Sequence, residues 1–476
     1  MLDQSFSTKN LETIYSLESR KGNIDIQTMP QVYCDVLASL KELRNTISDI
    51  KKNKDKTEEI TLDIEAKSEI MKNLVEQKKE ILHNYLDNLS KQINAHSFRF
   101  SLNKFITDEH KEVFTMDLAS HAHFFAIKQL QYNIRNTFKV KQSNRHNILS
   151  NIKSFLNSNI PIYIIRTDIS SFYESIPHEI LMHKVFNNTL LSNKSKAFIK
   201  GIFIEYEKLK DTTLVPPNQG VPRGIGISSY LSELYMKDID AYIKNRPEVM
   251  FYARYVDDIF IILTTLPGGI SIQEYYKEIT NYFKTQGLSL KQPNDDSDKC
   301  RLIDFSKENH VEQPMNYLGY CLYMERHSKK LSVKYGLSDK KKERYHKKLD
   351  KIINHFRNLC KLDIRKAYSD LFDSLNMITG NYKLFKSKSS VKVGLYYSND
   401  LLDCKDDLDE LTIYLRDIVD NLDIYAKLNN PINIKNNLIK HISNIDFCQR
   451  WETRKMYSFN IQRIQELEKW LQEEKR

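Results

Sequence analysis

Tyr255-Val256-Asp257-Asp258 sets two adjacent carboxylates behind a tyrosine, between Met250-Phe251-Tyr252-Ala253-Arg254 and Ile259-Phe260-Ile261-Ile262-Leu263. The flanks are rich in β-branched and aromatic residues, which predicts two strands of a hairpin with the acids at its bend. Two ionised carboxylates side by side repel, and burying them unpaired is costly. A cation must share the bend, and a divalent metal is the natural one. Alone, the stretch fits a solvated hairpin tip with two surface aspartates equally well.

A third carboxylate upstream favours the metal. Pro161-Ile162-Tyr163-Ile164-Ile165-Arg166-Thr167-Asp168 is a short apolar run ending in an acid. It predicts a buried strand that delivers Asp168 at its C-terminal end, after which Ile169 to Pro177 turns into a helix. Asp168 and Asp257, 89 residues apart in the chain, can share two metal ions. That arrangement serves in-line phosphoryl transfer, one ion activating a 3′-hydroxyl and the other holding a triphosphate and the leaving oxygen. The plainer alternative has Asp168 capping the helix that follows.

Between the acids lies Asn218-Gln219-Gly220-Val221-Pro222-Arg223-Gly224-Ile225-Gly226-Ile227-Ser228-Ser229-Tyr230-Leu231, which holds three of the chain's 12 glycines. Glycine permits close approach of the backbone to a ligand and positive φ. The segment runs into Leu231-Ser232-Glu233-Leu234-Tyr235-Met236, with apolar residues at helical spacing. A glycine loop opening a helix beside Arg223 can seat a base pair and a triphosphate; an ordinary loop before a helix has the same appearance.

Order and content together resemble the reverse transcriptases. Asp168 with its aromatic pair resembles their first palm motif, Gly220-Val221-Pro222-Arg223-Gly224 with Ser228 the second, and Tyr255-Val256-Asp257-Asp258 the third. Gly287-Leu288-Ser289-Leu290 looks like the start of the fourth, and Tyr317-Leu318-Gly319-Tyr320 resembles the primer-grip hairpin that follows. Five motifs in family order, over roughly residues 95–325, are far more specific than any one.

The resemblance implies an α+β fold, a right-hand polymerase with fingers, an antiparallel-sheet palm backed by helices, and a helical thumb. The expected boundaries are a helical N-terminal extension at 1–95, fingers at 96–160, palm at 161–325 with part of the fingers inserted, thumb at 326–399 and a helical C-terminal extension at 400–476. It also implies roles. Asp168, Asp257 and Asp258 would be catalytic and hold two Mg2+ ions (Mn2+ as an alternative), with the Ile169 carbonyl adding to the shell. Tyr173 stands where the family places a sugar gate that clashes with a 2′-hydroxyl, whereas Phe172 is expected in the core. Arg223 and Gly224 would line the incoming base and sugar, and Leu318, Gly319 and Tyr320 would form the primer grip. Arg99 and Arg145 are the fingers candidates for triphosphate and template, and each is equally an ordinary surface or helix arginine.

The chain departs from the family pattern in places. Most members have Gln where this chain has Arg223, a fixed charge that can hold a phosphate or a template base edge. Ser229 stands where many have Pro. The fourth motif is irregular, with Lys291 directly after it and Asn294-Asp295-Asp296-Ser297-Asp298 before Lys299. Either lysine could be the proton donor to pyrophosphate, and either could be a surface lysine.

Composition suits a nucleic-acid enzyme. Lys and Arg number 72 against 62 Asp and Glu, a net charge of +10, which favours a phosphate backbone. The 476 residues, 41% hydrophobic, can form several subdomains. Six scattered cysteines without a CxxC pair indicate neither zinc nor a disulfide framework. The opening residues lack a basic stretch followed by an apolar one, and no apolar run is long enough to span a membrane. A reducing cytoplasm is expected.

Residues 37–95 have almost no Gly or Pro and read as helices, with Leu74, Val75, Leu82, Tyr85, Leu86, Leu89 and Ile93 at three-to-four spacing and a break at Lys51–Lys56. They are expected to form an amphipathic hairpin packed on the palm, or else a surface for self-association or a partner. Lys340 to Lys348 starts a basic helix that continues through Ile352, Ile353 and Phe356, suited to a thumb on duplex product. Asp403, Asp406, Asp407 and Asp409 should spread over several helix faces and lie at the surface.

No integrase, protease, RNase H or zinc-finger endonuclease segment is recognisable. Met377-Ile378-Thr379-Gly380-Asn381-Tyr382 and Val393-Gly394-Leu395-Tyr396-Tyr397-Ser398 resemble the thumb and post-thumb of bacterial defence-associated reverse transcriptases, as do Asp3-Gln4-Ser5-Phe6-Ser7 and Arg20-Lys21-Gly22. Within that group the chain is most similar to the first polymerase of type 3 systems. The resemblance implies an RNA-directed DNA polymerase in antiphage defence, with deoxynucleoside triphosphates as substrates, a dedicated noncoding RNA as template, a DNA product, and a second reverse transcriptase subunit or a homo-oligomer as partner. The alternatives are a retron-like or group II intron-like enzyme, a protein-primed or untemplated polymerase of abortive-infection type, and a silent RNA-binding scaffold, which the intact aspartates oppose.

Overall fold

The computed structural model describes residues 2–52, 58–107, 111–117, 120–293, 299–307, 309–384, 391–422 and 431–471. Two compact units divide the chain: Met1–Gln142 with Ser171–Ile239, and Ser143–Ser170 with Asp240–Arg476.

The first unit opens with helices α1 (Thr8–Lys21), α2 (Gln31–Lys52) and α3 (Glu58–Asn94), then the antiparallel hairpin β1 (Leu102–Ile106) and β2 (Glu112–Met116), then α4 (His121–Phe138). The chain crosses to the second unit for α5 (Arg145–Leu156) and β3 (Tyr163–Asp168). It returns for α6 (Phe172–Ser175), α7 (His178–Phe186), α8 (Asn193–Leu209) and most of α9 (Ser228–Lys244). The expected helices do pair, α2 on α3, but α2 begins at Gln31, directly after Pro30. Proline is well suited to a helix start because its missing N–H is not needed there. The break expected at Lys51–Lys56 falls largely on 53–57, outside the described residues.

Burial along α3 grows toward its end. Leu74, Val75, Leu82 and Tyr85 are half-buried, whereas Leu86, Leu89 and Ile93 are buried with Leu11 and Ile14 of α1 and Phe125 and Ala126 of α4. The hairpin therefore packs on α1 and α4 of its own unit. Ser90 Oγ and Asn94 Nδ2 donate to the Phe6 carbonyl at 2.7 and 2.9 Å and pin the N-terminal segment to α3.

The second unit is built on an antiparallel sheet in the order β4 (Val249–Tyr255), β5 (Asp258–Leu263), β3, β6 (Arg301–Asp304). Helix α10 (Ile272–Thr285) buries Ile272, Tyr275, Tyr276, Ile279 and Phe283 and starts on a Ser271/Glu274 capping box. A second sheet follows, of β7 (His310–Val311), β8 (Met315–Tyr317), β9 (Tyr320–His327) and β10 (Lys330–Leu337). Beyond it come α11 (Asp339–Leu359), α12 (Ile364–Thr379), β11 (Asn381–Lys383), β12 (Lys392–Gly394), α13 (Asp406–Asp420), α14 (Pro431–Ile442), α15 (Phe447–Glu452), β13 (Met456–Tyr457) and α16 (Ile461–Leu471). One core joins Ile164 and Phe260 to Leu322 and Tyr335, and on to Ile352, Phe356, Leu375 and Leu411.

Two expectations need correction. The C-terminal stretch is not wholly helical, since β13 pairs in parallel with β11. Nor are all its aspartates superficial: Asp407 is buried, accepts from the Leu337 N–H at 2.6 Å and pairs with Lys342 at 2.6 Å. Asp403 accepts from the Tyr335 N–H at 2.9 Å and pairs with Lys153 at 2.7 Å. These carboxylates satisfy the outward backbone groups of β10, a demand no local pattern announces. Among the described residues no helix is long and apolar enough to cross a membrane.

Candidate active site

The second unit brings the three aspartates of the sequence motifs together. β3 and β5 pair so that Asp168 stands directly opposite Asp258, one step from the bend that holds Asp257. The strand end is fixed on both sides. The Ile169 N–H donates to the Asp257 carbonyl at 3.0 Å, while the Lys291 N–H donates to the Asp168 carbonyl at 3.0 Å and the Ser170 N–H to that of Ser289 at 2.8 Å. Gly287–Leu290 thus serves to extend the sheet beside Asp168, with Leu290 bridging Ile169.

Charge accumulates where these groups meet. Asp168 is buried, and Asp257 and Asp258 are half-buried. Burial pushes the Asp258 carboxyl up to about 6; the Arg166 guanidinium opposes the rise, and Asp168 and Asp257 add to it. Arg166, itself buried, reaches Asp258 Oδ1 at 3.2 Å. Of the two candidate lysines, Lys299 places its ammonium 2.8 Å from Asp168 Oδ2. Burial works against that ammonium, yet Asp168, Asp257 and Asp258 together hold it above the usual lysine range. Lys291 contributes backbone: its carbonyl accepts from the hydroxyls of Tyr276 and Thr167. Asn294–Asp298 lie outside the described residues.

Among the described residues no three His, Cys, Asp or Glu side chains form a ready-made cation cage. The three neighbouring carboxylates nevertheless meet within reach of Arg166 and Lys299, and burial with mutual repulsion still leaves Asp258 raised. That donor set fits Mg2+, which is commonly held by one or two carboxylates together with substrate phosphates and water.

The bend has a support that the sequence reading missed. Val256 adopts φ 60°, a left-handed conformation unfavourable for a β-branched residue. Buried Arg254 donates to the Val256 carbonyl at 2.8 Å and forks onto Asp240 at 2.9 and 2.8 Å. Tyr252 OH donates to the same Asp240 at 2.7 Å. The signal available was an arginine inside an apolar strand, which needs a partner. The same holds for Arg166.

The primer-grip match is the turn between β8 and β9. Tyr317 pairs with Tyr320, and Leu318 and Gly319 both have positive φ, 43° and 79°, as a two-residue hairpin turn requires. Arg145 belongs to this unit: its Nη2 would lie 2.8 Å from a Cβ added at Gly319, and its guanidinium carbon is 5.7 Å from the Tyr320 ring centre.

The first unit holds the remaining candidates. Tyr173 is half-buried and Phe172 is in the core, as expected. Arg223 forks onto Glu174, with Nε and Nη2 donating at 3.1 and 3.2 Å, and its guanidinium carbon lies 5.2 Å from the Tyr173 ring centre. Glu174 was not singled out from sequence. Gly224 has φ 98°, and a Cβ there would meet the Phe114 carbonyl oxygen at 2.5 Å, so the loop lies against β2 only because this residue is glycine. Arg99 is spent on its own loop, donating to the carbonyls of His96 and Phe98 at 2.8 Å each.

A family model described as "Reverse transcriptase (RNA-dependent DNA polymerase)" matches residues 70–322. Among solved structures, the chain is similar to telomerase from Candida albicans in complex with a TWJ fragment of telomeric RNA, at 13% identity over 76% of this chain and 65% of that one, TM-score 0.33. It is also similar to apo telomerase from Candida Tropicalis, at 12% identity over 78% of this chain and 60% of that one, TM-score 0.36. The chain thus spans less than two thirds of the length of either. No curated protein matches the sequence.

Proposed function

The chain belongs to the reverse transcriptase family, and from that premise we propose that it is an RNA-directed DNA polymerase that adds deoxynucleotides to a 3′ end. The observation that carries the proposal is the register that sets Asp168 opposite Asp258, with Asp257 in the adjoining bend. Asp168 and Asp257, with the Ile169 carbonyl, would hold two Mg2+ ions, and Asp258 would complete the cluster. Bound there, divalent cations supply Lewis-acid stabilisation of an in-line phosphoryl transfer. In the reaction the 3′-oxygen forms a bond to the α-phosphorus, and the bond from that phosphorus to pyrophosphate breaks.

The chain's own residues have distinct parts. Lys299, whose ammonium already rests on Asp168, is the proton donor to pyrophosphate in preference to Lys291. Tyr173 excludes a 2′-hydroxyl, and Arg223, anchored by Glu174, holds that ring in place. Gly224 lines the incoming nucleotide, and Leu318, Gly319 and Tyr320 position the primer end.

The finer reading is a defence enzyme of the bacterial cytoplasm that copies a dedicated noncoding RNA beside a second polymerase subunit. It rests on the resemblance of residues 377–382 and 393–398 to defence-associated reverse transcriptases; in the fold these stretches meet as the β11–β12 pair.

One experiment addresses template, primer and product together. The full chain is purified with its bound RNA and given Mg2+ and each deoxynucleotide separately, and RNA and product are sequenced. Incorporation that chelation abolishes is expected; undiminished incorporation after Asp257→Ala with Asp258→Ala would sink the proposal. Loss of phage protection in the same variant tests the defence role.

A further inference from the structure

A cavity of about 710 Å³ opens in the second unit, lined by the start of α5, the β8–β9 turn, the first turns of α11 and the stretch from β12 to Leu401. None of the three aspartates lines it. Its charge is unbalanced. Arg145, Lys341, Arg344 and Lys348 face two carboxylates, Asp400 and Glu468, and Asp400 is engaged by His146 at 3.2 Å. Arg145, Lys341 and Arg344 have no ion-pair partner among the described residues.

Two of these cations converge on one ring. Lys341 Nζ lies 4.9 Å and the Arg145 guanidinium carbon 5.7 Å from the centre of Tyr320, and Lys341 also donates to the Ser398 carbonyl at 3.0 Å. Burial, then the nearby Arg145 and Arg344, push Lys341 down to about 7, against a weaker pull from Asp400. Cations gathered in a partly enclosed space repel one another unless an anion joins them. The rest of the lining is aromatic and apolar, with Tyr345, Tyr382 and Tyr397 beside Met377 and Leu395. The volume falls in the range of small-molecule sites, and is far more than a bare phosphate fills.

We infer that this cavity binds a phosphorylated nucleoside, its phosphate on Arg145, Lys341 and Arg344 and its base against the tyrosines. The ligand is either a free nucleotide or the 5′-terminal nucleotide of a bound RNA, which share this chemistry. The site shares Tyr320 with the proposed primer grip, but it requires neither the aspartates nor a metal, so its binding is read separately from polymerisation.

The test uses the full chain, freed of nucleic acid by ribonuclease and high salt, in EDTA to silence metal-dependent nucleotide binding. Equilibrium dialysis with radiolabelled AMP is challenged by adenosine, inorganic phosphate, and a short oligoribonucleotide bearing either a 5′-phosphate or a 5′-hydroxyl. Binding of AMP identifies a free nucleotide; binding of the 5′-phosphorylated oligonucleotide alone, in preference to its 5′-hydroxyl form, identifies an RNA end. Both support the site, provided Arg344→Gln weakens binding about tenfold or more, the scale of a lost charge-assisted contact. Arg344 is exposed, so its replacement should leave the fold intact, and Lys341→Gln gives a second reading. The inference is overturned if neither probe binds, if both substitutions leave binding unchanged, or if inorganic phosphate competes as well as AMP.

Discussion

Arg254 Nη1 donates to the Val256 carbonyl at 2.8 Å, so one buried guanidinium ties the bend before Asp257 to Asp240. Arg254→Lys keeps the charge but loses the planar fork. It should cost about 1–3 kcal/mol in urea unfolding, the scale of charge-assisted bonds lost from a buried group. Single-turnover extension should slow about tenfold or more, as expected when a reacting group is displaced, with KM for nucleotide little changed. A variant that is destabilised yet fully active would show that the clamp serves only the fold.

Val256 pays for its position with φ 60°. Asn tolerates that conformation, so Val256→Asn should raise stability by about 1 kcal/mol. The gain appears as a higher urea midpoint at unchanged slope. A lower midpoint would mean that the half-buried valine side chain matters more than its backbone.

Lys299 and Lys291 part company in the structure, one offering its ammonium to Asp168 and the other its backbone. Lys299→Met should therefore slow single-turnover incorporation by about 10²-fold or more, the usual range for a lost general acid. Lys291→Met should retain most of the rate. Equal losses would remove the distinction.

The Arg223 guanidinium lies over the Tyr173 ring and is held there by Glu174. Tyr173→Ala should raise the ribonucleotide-to-deoxynucleotide ratio of kcat/KM about tenfold or more, because a steric exclusion worth a few kcal/mol is removed. Glu174→Gln, at a half-exposed pair, should cost less than about 1 kcal/mol of stability while shifting the same ratio in the same direction. No shift in either variant would refute the gate.

Glu18 is a buried carboxylate held by Lys21 at 2.7 Å, Asn23 at 2.7 Å and Lys128 at 3.0 Å. Burial raises its carboxyl, but these three partners together outweigh burial and hold it below the ordinary glutamate value. A folded value below the unfolded one gives stability that is complete above the unfolded value and lost as pH falls through the folded one. Wild type should therefore exceed Glu18→Gln in urea melts at neutral pH, with the gap closing below about pH 4.5. A pH-independent gap would mean that packing, not ionisation, sets the difference.

The elements that hold the site were legible wherever pattern is local. The apolar run ending at Asp168 and the β-branched and aromatic flanks of Asp257 predicted β3, β4 and β5, because strand burial writes itself into consecutive residues. The glycines at 220 and 224 marked the loop before α9, because positive φ selects that residue. Arg254 with Asp240, Arg166 with Asp258, and Glu174 with Arg223 were not legible as pairs. Each joins positions whose separation follows from register or from a loop's path, and no periodicity records it.

By itself, the sequence determined which chemistry is available: three acids on strand ends, a tyrosine five residues after the first, and a glycine turn at Leu318-Gly319. Local sterics and burial act on neighbouring residues, so those features survive reading in one dimension. Tertiary structure alone decided that Asp168 faces Asp258, that Lys299 rather than Lys291 presents its ammonium to the acids, and that Arg145 joins Lys341 at Tyr320. Those outcomes depend on strand register and on the low-dielectric space that packing creates, where a buried charge must find its partner from a distant part of the chain.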